Sequence, residues 1–98
     1  MRDRVTPELF EALVRRDIGC VLSFLEPGHV CRNQYGDVVS WTDQSTTVEH
    51  VKGELRMGRR APSDLAHTVL LCAGSNIGVP SKAQRALLRG YIAARRAA

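Results

Sequence analysis

Apolar residues recur with helical spacing near the start of the chain. They follow Thr6, Pro7 and Glu8, a typical helix start. Threonine caps a helix, proline fits its first position, and an acidic side chain is favoured in its first turn. The pattern therefore predicts a helix over residues 7–17, ended by Gly19. Its apolar positions are Leu9, Phe10, Leu13 and Val14.

A second amphipathic segment lies near the other end of the sequence. Ser81 and Gln84 have the spacing of a capping box, in which each side chain bonds the backbone N–H of the other residue. Apolar and basic residues then occupy different faces, which predicts an amphipathic helix of about 14 residues with a basic side. The apolar positions are Leu87, Leu88, Tyr91 and Ile92, and the basic ones are Lys82, Arg85, Arg89 and Arg96.

Two short segments between these helices are rich in β-branched and apolar residues. They cover residues 46–51 and 67–72, and their composition predicts two strands. The other segments are predicted as a further short strand at 20–25, mostly loop at 28–45 with a candidate strand at 38–41, a long loop at 52–64, and one helical turn at 73–79.

The order of these elements predicts the fold class. Strand, long loop, strand and helix follow one another over residues 46–96, and two strands need helices packed on them to be stable. We therefore expect an α+β fold with an additional N-terminal helix. A chain of 98 residues predicts a single domain, residues 1–98, and is too short for multi-domain enzymes, Rossmann dinucleotide binders and barrels.

Composition and hydropathy narrow the class of protein further. A hydrophobic fraction of 44% with 24% charged residues argues against wholesale disorder. The longest apolar run, residues 69–73, is far shorter than the roughly 20 residues that span a bilayer. Acidic residues interrupt the first twenty positions, so they do not match a secretion signal. We expect a cytoplasmic protein with no membrane partner.

Polar residues that could take part in catalysis or metal binding concentrate around the two predicted strands. Glu49 and His50 end the first strand, His67 opens the second, Cys72 closes it, and Asn76 follows in the next turn. This arrangement resembles the HNH endonuclease family, including HNH proteins encoded by phages and prophages of actinobacteria. The resemblance covers residues 46–77 well and implies a ββα-metal fold, a hairpin with a long loop followed by a helix.

The resemblance also implies roles for these residues. His50 would be the general base that activates water, and Glu49 and Asn76 would bind the divalent metal. Oxygen ligands favour Mg²⁺ or Mn²⁺ over a catalytic zinc. His67 stands where the family usually has an asparagine that orients the catalytic histidine. In a regular strand Glu49 and His50 point to opposite faces, so Glu49 would reach a metal only through a local twist or from the strand end.

Three cysteines raise a separate question about structural zinc. Many HNH proteins hold zinc with two Cys-x-x-Cys knuckles, but here Ser23 and Ser75 replace the second cysteine of each. A four-ligand zinc site could still form, although ten residues separate Cys20 from Cys31, which is not a knuckle spacing. We therefore favour the alternative, in which Cys20 and Cys72 are buried as small hydrophobic residues. The four candidate ligands are Cys20, His29, Cys31 and Cys72.

A net charge of +4 makes nucleic acid a candidate partner. Basic residues crowd the long loop and one face of the last helix, where they could neutralise DNA phosphates without reading sequence. The alternative is that they form ordinary solvated surfaces. The residues concerned are Lys52, Arg56, Arg59 and Arg60 in the loop, and Lys82, Arg85 and Arg89 in the helix.

The resemblance thus implies a metal-dependent DNA endonuclease or nickase, which we expect to act as a monomer or weak homodimer. The resemblance implies a bacterial host and a role in phage genome packaging beside a terminase. Two alternatives stay open. One is a catalytically inactive DNA-binding module on the same fold. The presence of His67 in place of the family's asparagine and the incomplete knuckles would be consistent with it. The other is an adaptor whose basic helix docks an acidic partner protein.

Overall fold

A computed structural model describes residues 5–51 and 63–97 of the chain. These residues form a small α+β structure with four helices and one antiparallel pair of strands, which confirms the predicted class. None of the helices in the described ranges is both long enough and apolar enough to cross a membrane. The elements are α1 (Pro7–Asp17), α2 (Leu22–Leu25), β1 (Thr47–His50), β2 (Thr68–Leu71), α3 (Ala73–Ile77) and α4 (Lys82–Ala97).

Helix α1 begins as predicted and ends by a different device. The Thr6 hydroxyl accepts a hydrogen bond of 3.1 Å from the Leu9 backbone N–H. The left-handed residue at the other end is Ile18, with φ of 69°, and its N–H donates to the Val14 carbonyl. Gly19 is needed for space instead, because a Cβ there would lie 2.2 Å from the carbonyl oxygen of Trp41.

The segment at residues 20–25 is not a strand, so that expectation was wrong. Val21 donates its backbone N–H to the Leu70 carbonyl over 2.9 Å, and the chain then turns into the short helix α2. A short apolar run fits a buried strand and a buried helical turn equally well. The candidate strand at 38–41 is reduced to a single bridge between Arg32 and Val38, and the rest of this region is loop, as predicted.

The two predicted strands form an antiparallel pair. Thr47 lies opposite Leu71 and His50 lies opposite Thr68. All four residues of β2 are buried, whereas those of β1 are half-buried. Helix α1 contacts β2, as does α4. The helices therefore supply the cover that so small a sheet requires.

Helix α4 starts at the predicted capping box. Gln84 N–H donates to Ser81 Oγ over 3.1 Å, and Ser81 N–H donates to Gln84 Oε1 over 2.9 Å. The helix is 16 residues long, and Leu87 lies outside the buried stripe at 39% exposure. Its inner face joins an apolar core that comprises Cys20, Val21, Leu22, Cys31, Val51, Val69, Leu71, Cys72, Leu88, Tyr91 and Ile92.

A buried carboxylate joins three of these elements. Asp17, the last residue of α1, accepts hydrogen bonds from the Leu70 backbone N–H at 3.1 Å and from the Tyr91 hydroxyl at 2.6 Å. Arg16 forms an ion pair with it at 2.6 Å and also donates to the Thr68 carbonyl. The Asp17 side chain therefore connects α1, β2 and α4 at one point.

We expect Asp17→Ala to lower the free energy of unfolding by about 3–5 kcal/mol, because it leaves Arg16, Tyr91 and a strand N–H without their buried partner. Urea denaturation followed by circular dichroism measures this. Glu11→Ala, at an exposed position of the same helix, should change stability by less than about 0.5 kcal/mol. A loss below about 1 kcal/mol for Asp17→Ala would contradict the role given to this carboxylate.

Stability should also fall at alkaline pH through Tyr91. Burial raises the pKa of its phenol above the ordinary value of 10.0, and the nearby Asp17 raises it further. A phenol whose pKa is raised in the folded state contributes stability that is complete below the unfolded value of about 10. That contribution is lost as pH rises from there through the raised folded-state pKa. Urea denaturation at pH 9 and pH 11 should show a smaller fall for Tyr91→Phe than for the unsubstituted protein. Equal falls would show that this phenol makes no such contribution.

Candidate functional site

Four potential metal ligands converge at one end of the sheet. Cys20 precedes α2, His29 and Cys31 lie in the segment after it, and Cys72 lies between β2 and α3. Their ligand atoms all lie within 4.8 Å of one another. We call these four residues the Cys/His cluster.

Backbone hydrogen bonds hold the cluster together from three parts of the chain. Cys20 N–H donates to Trp41 O over 2.8 Å, and the neighbouring residue bonds to β2. Cys31 accepts from the Val39 N–H over 3.0 Å, and Gly74 N–H donates to Arg32 O over 2.8 Å. The loop, the start of α2 and the end of β2 are therefore fixed next to one another.

The geometry of the cluster suits zinc. His29 Nε2 lies 3.7 Å from Cys20 Sγ and 3.8 Å from Cys72 Sγ. A tetrahedral zinc with bonds of about 2.3 Å to sulfur and about 2.0 Å to nitrogen separates such atoms by roughly 3.6 Å. The three thiols are buried and free of disulfides. The cluster could therefore bind a metal, and its soft sulfur ligands suit zinc better than magnesium.

The protonation of the three cysteines differs with their surroundings. Burial opposes ionisation of Cys72, but hydrogen bonds from Ser75 and His29 outweigh it and lower its pKa to about 6. Burial raises the pKa of Cys31, and the neighbouring sulfurs of Cys20 and Cys72 raise it further. Burial likewise raises the pKa of Cys20. Metal binding would thus require proton loss from thiols, as for other thiolate sites.

A second layer of polar side chains surrounds the cluster. His29 Nδ1 lies 3.0 Å from Glu26 Oε1, so the ring is held by one nitrogen while the other faces the sulfurs. Gln84 donates to the same carboxylate. Ser75 Oγ lies 3.1 Å from both Cys72 Sγ and His29 Nε2. The bonds from His29 and Gln84 lower the pKa of Glu26.

The sequence pattern favours a magnesium site at Glu49 and Asn76 over a zinc site at this cluster. The ten residues between Cys20 and Cys31 do not match a local knuckle, and His29 has no motif of its own. The structure nevertheless brings all four ligand atoms together. The helical turn after Cys20 and the bend that follows α2 shorten the distance that the sequence separation suggested.

The residues proposed for nuclease chemistry lie around β1. Asn76 in α3 donates its amide to Thr47 Oγ1 over 2.8 Å and to the Val48 carbonyl over 3.3 Å. Thr47 and Glu49 share one face of β1 because strand residues alternate. Asn76 is thus held against β1 at Thr47, a residue that shares a face of the strand with Glu49. It occupies the fourth position of the five-residue helix α3.

Electrostatic surroundings distinguish Glu49 from a surface carboxylate. Burial raises its pKa, and the backbone N–H of His50 and the charge of Arg85 counteract that rise. A cation bound beside Glu49 would favour the ionised carboxylate in the same way as Arg85.

The two candidate catalytic histidines are each held by a neighbouring side chain. His50 belongs to the opposite face of β1 from Glu49, and its Nε2 lies 2.7 Å from Ser63 Oγ. His67 Nδ1 lies 2.7 Å from Asp64 Oδ1. Sequence reasoning did not identify Ser63 or Asp64, because short polar residues in a loop carry no pattern that assigns a partner.

Three of the seven candidate DNA-binding residues lie within the described part of the chain. Lys82, Arg85 and Arg89 lie on α4, the first two exposed and the third half-buried. Their spacing of three and four residues puts them on neighbouring positions of one helical surface. The remaining candidates, Lys52, Arg56, Arg59 and Arg60, lie outside the described residues.

Searches for relatives return nothing that bears on these sites. The chain matches no protein-family model, no curated protein and no solved structure.

We expect the purified protein to bind one Zn²⁺ ion per chain. At zinc concentrations about 100 times the Kd, binding should raise the melting temperature by roughly 10 °C or more, and Mg²⁺ should not. His29→Ala should abolish most of this rise. His67→Ala is the matched control, since that histidine lies outside the cluster. Equal loss in both variants would contradict the assignment of His29 as a ligand.

Proposed function

We propose that this protein is a metal-dependent DNA endonuclease of the HNH type, built on β1, β2 and α3 as a ββα-metal unit. The observation that carries the proposal is the contact between α3 and β1. The Asn76 amide bonds Thr47 Oγ1 over 2.8 Å, on the strand face of Glu49 and three residues from His50. The Glu49 carboxylate and the Asn76 amide would therefore share one face of β1, while the His50 imidazole belongs to the opposite face at the end of the strand, beside Ser63.

The residues present fit a hard divalent ion. Asn76 uses Nδ2 to bond the strand, so Oδ1 would be its ligand atom, and Glu49 would supply an anionic oxygen. Such a pair leaves most positions of an octahedral ion for water and phosphate, which is typical of Mg²⁺ and Mn²⁺. When bound, the ion would polarise the phosphate and stabilise charge on the leaving oxygen.

His50 would act as the general base of this reaction. A neutral imidazole has an ordinary pKa of about 6.5 and can take a proton from water at cellular pH. Ser63 Oγ, 2.7 Å from Nε2, would hold the ring in position. The resemblance implied an asparagine-like role for His67, but the ring of His67 bonds Asp64 instead. Ser63 therefore fits the orienting role better.

The basic surface of α4 would bring DNA to this site. Arg85 is close enough to Glu49 to affect its ionisation, so phosphates bound along Lys82, Arg85 and Arg89 would pass near β1. Contacts of this kind are independent of base sequence and weaken as salt concentration rises. The structural role proposed for the Cys/His cluster is to hold zinc beside the same hairpin.

One observation favours a second candidate, a DNA-binding module without catalytic activity. Both imidazoles near the hairpin already have a side-chain partner, His50 with Ser63 and His67 with Asp64. A histidine engaged in this way could serve only to stabilise the loop. A packaging complex with a terminase, implied by the resemblance alone, is compatible with either candidate.

Supercoiled plasmid tests the nuclease directly. We expect Mg²⁺ or Mn²⁺ to support nicking that EDTA abolishes, and His50→Ala to slow it by at least about 100-fold, the usual contribution of a general base. His67→Ala should slow nicking less than about tenfold, because its ring bonds Asp64. Circular dichroism confirms that both variants fold.

Two results would contradict the endonuclease. Nicking that persists in His50→Ala would assign the activity to another residue. Absence of nicking by the unsubstituted protein with either metal, together with salt-sensitive binding to the plasmid, would favour the inactive DNA-binding module.

A further inference from the structure

A chain of side-chain contacts leads from the Cys/His cluster to the first turn of α4. His29 faces the sulfurs with Nε2 and contacts Glu26 Oε1 with Nδ1 over 3.0 Å. Gln84 Nε2 lies 3.1 Å from both oxygens of the Glu26 carboxylate. Glu26 thus receives contacts from a candidate ligand on one side and from α4 on the other.

The orientation of the Gln84 amide follows from its two partners. Its Oε1 accepts the Ser81 backbone N–H over 2.9 Å, and a backbone N–H can only donate. The NH₂ group must therefore point toward Glu26, which can only accept when ionised. One amide completes the cap of α4 and also bonds the carboxylate that holds His29.

We propose that Glu26 and Gln84 are positioning residues of the metal centre, and that through them metal binding and the order of the first turn of α4 are linked. This inference rests on the proposed occupancy of the Cys/His cluster by a metal. Lys82 and Arg85 lie in that turn, so the state of the metal would also control part of the basic surface.

The chemistry of histidine ligation explains the role of Glu26. A histidine that binds metal through Nε2 must carry its proton on Nδ1, and a carboxylate that accepts this proton fixes the tautomer and the ring orientation. Removing such an outer partner lowers metal affinity about 10- to 100-fold. Linkage is reciprocal, so whatever the metal adds to the order of the helix, the ordered helix adds to metal affinity.

Gln84→Glu separates this role from helix capping. Glutamate at this position still completes a capping box with Ser81, and a negative charge in the first turn favours the helix. It cannot donate to Glu26, however, and places a second carboxylate against the first. If Gln84 served only to cap the helix, Gln84→Glu would leave α4 unchanged or more stable and would not weaken metal binding. The proposed link predicts that Gln84→Glu weakens metal binding.

Gln44→Glu is the matched control, since it makes the same change at an exposed position of the loop. Zinc affinity is measured by competition with a chromophoric chelator. Co²⁺ substitution reports the ligand set through its visible absorption bands. Hydrogen exchange of the amides of residues 85–88, with zinc and with EDTA, reports the order of the first turn.

We expect Gln84→Glu to bind zinc 10- to 100-fold more weakly than the unsubstituted protein, and Gln44→Glu to bind it equally well. Zinc should slow exchange at residues 85–88 in the unsubstituted protein and much less in Gln84→Glu. Unchanged zinc affinity in Gln84→Glu would overturn the link while leaving the metal site intact. Absence of thiolate–cobalt bands in the unsubstituted protein would overturn the metal site and this inference together. Neither result depends on nuclease activity.

Discussion

The small size of the sheet imposes the main constraint on this structure. Two strands of four residues each cannot persist alone in water. Strand β2 therefore has to be buried on both faces, by α1 on one side and by the core that includes α4 on the other. The carboxylate of Asp17 fixes α1, β2 and α4 relative to one another, because it accepts hydrogen bonds from the β2 backbone and from the Tyr91 hydroxyl of α4.

The loop at residues 28–45 also needs support from outside, and the Cys/His cluster lies where a bound metal could provide it. That region has little regular structure and contributes few fully buried side chains besides its cysteine. A chain of 98 residues buries a modest core. A metal bound by residues from three segments would supply the order that side-chain packing does not, since its binding energy is also folding energy. The cluster and the core share Cys20, Cys31 and Cys72.

Helix α3 brings the two candidate sites together. Cys72, at its N-cap, belongs to the Cys/His cluster, and Asn76, within it, contacts β1. A helix of five residues has no stability of its own. It is held by the Gly74 bond to Arg32, where a Cβ would lie 2.9 Å from the arginine side chain, so glycine is required there. Any metal at the cluster would thus help to place Asn76, the proposed ligand of the hard divalent ion.

Local chemistry determined much of the fold from the sequence alone. The caps at Thr6 and Ser81, the apolar stripe of α4 and the two β-branched segments predict four elements, because capping, periodicity and strand composition act over a few neighbouring residues. Only the tertiary structure decided that residues 20–25 turn into a helix, that His29 joins three cysteines, and that Asn76 lies on the Glu49 face of β1. Each of these depends on contacts between residues far apart in the chain, and no local pattern encodes such distances.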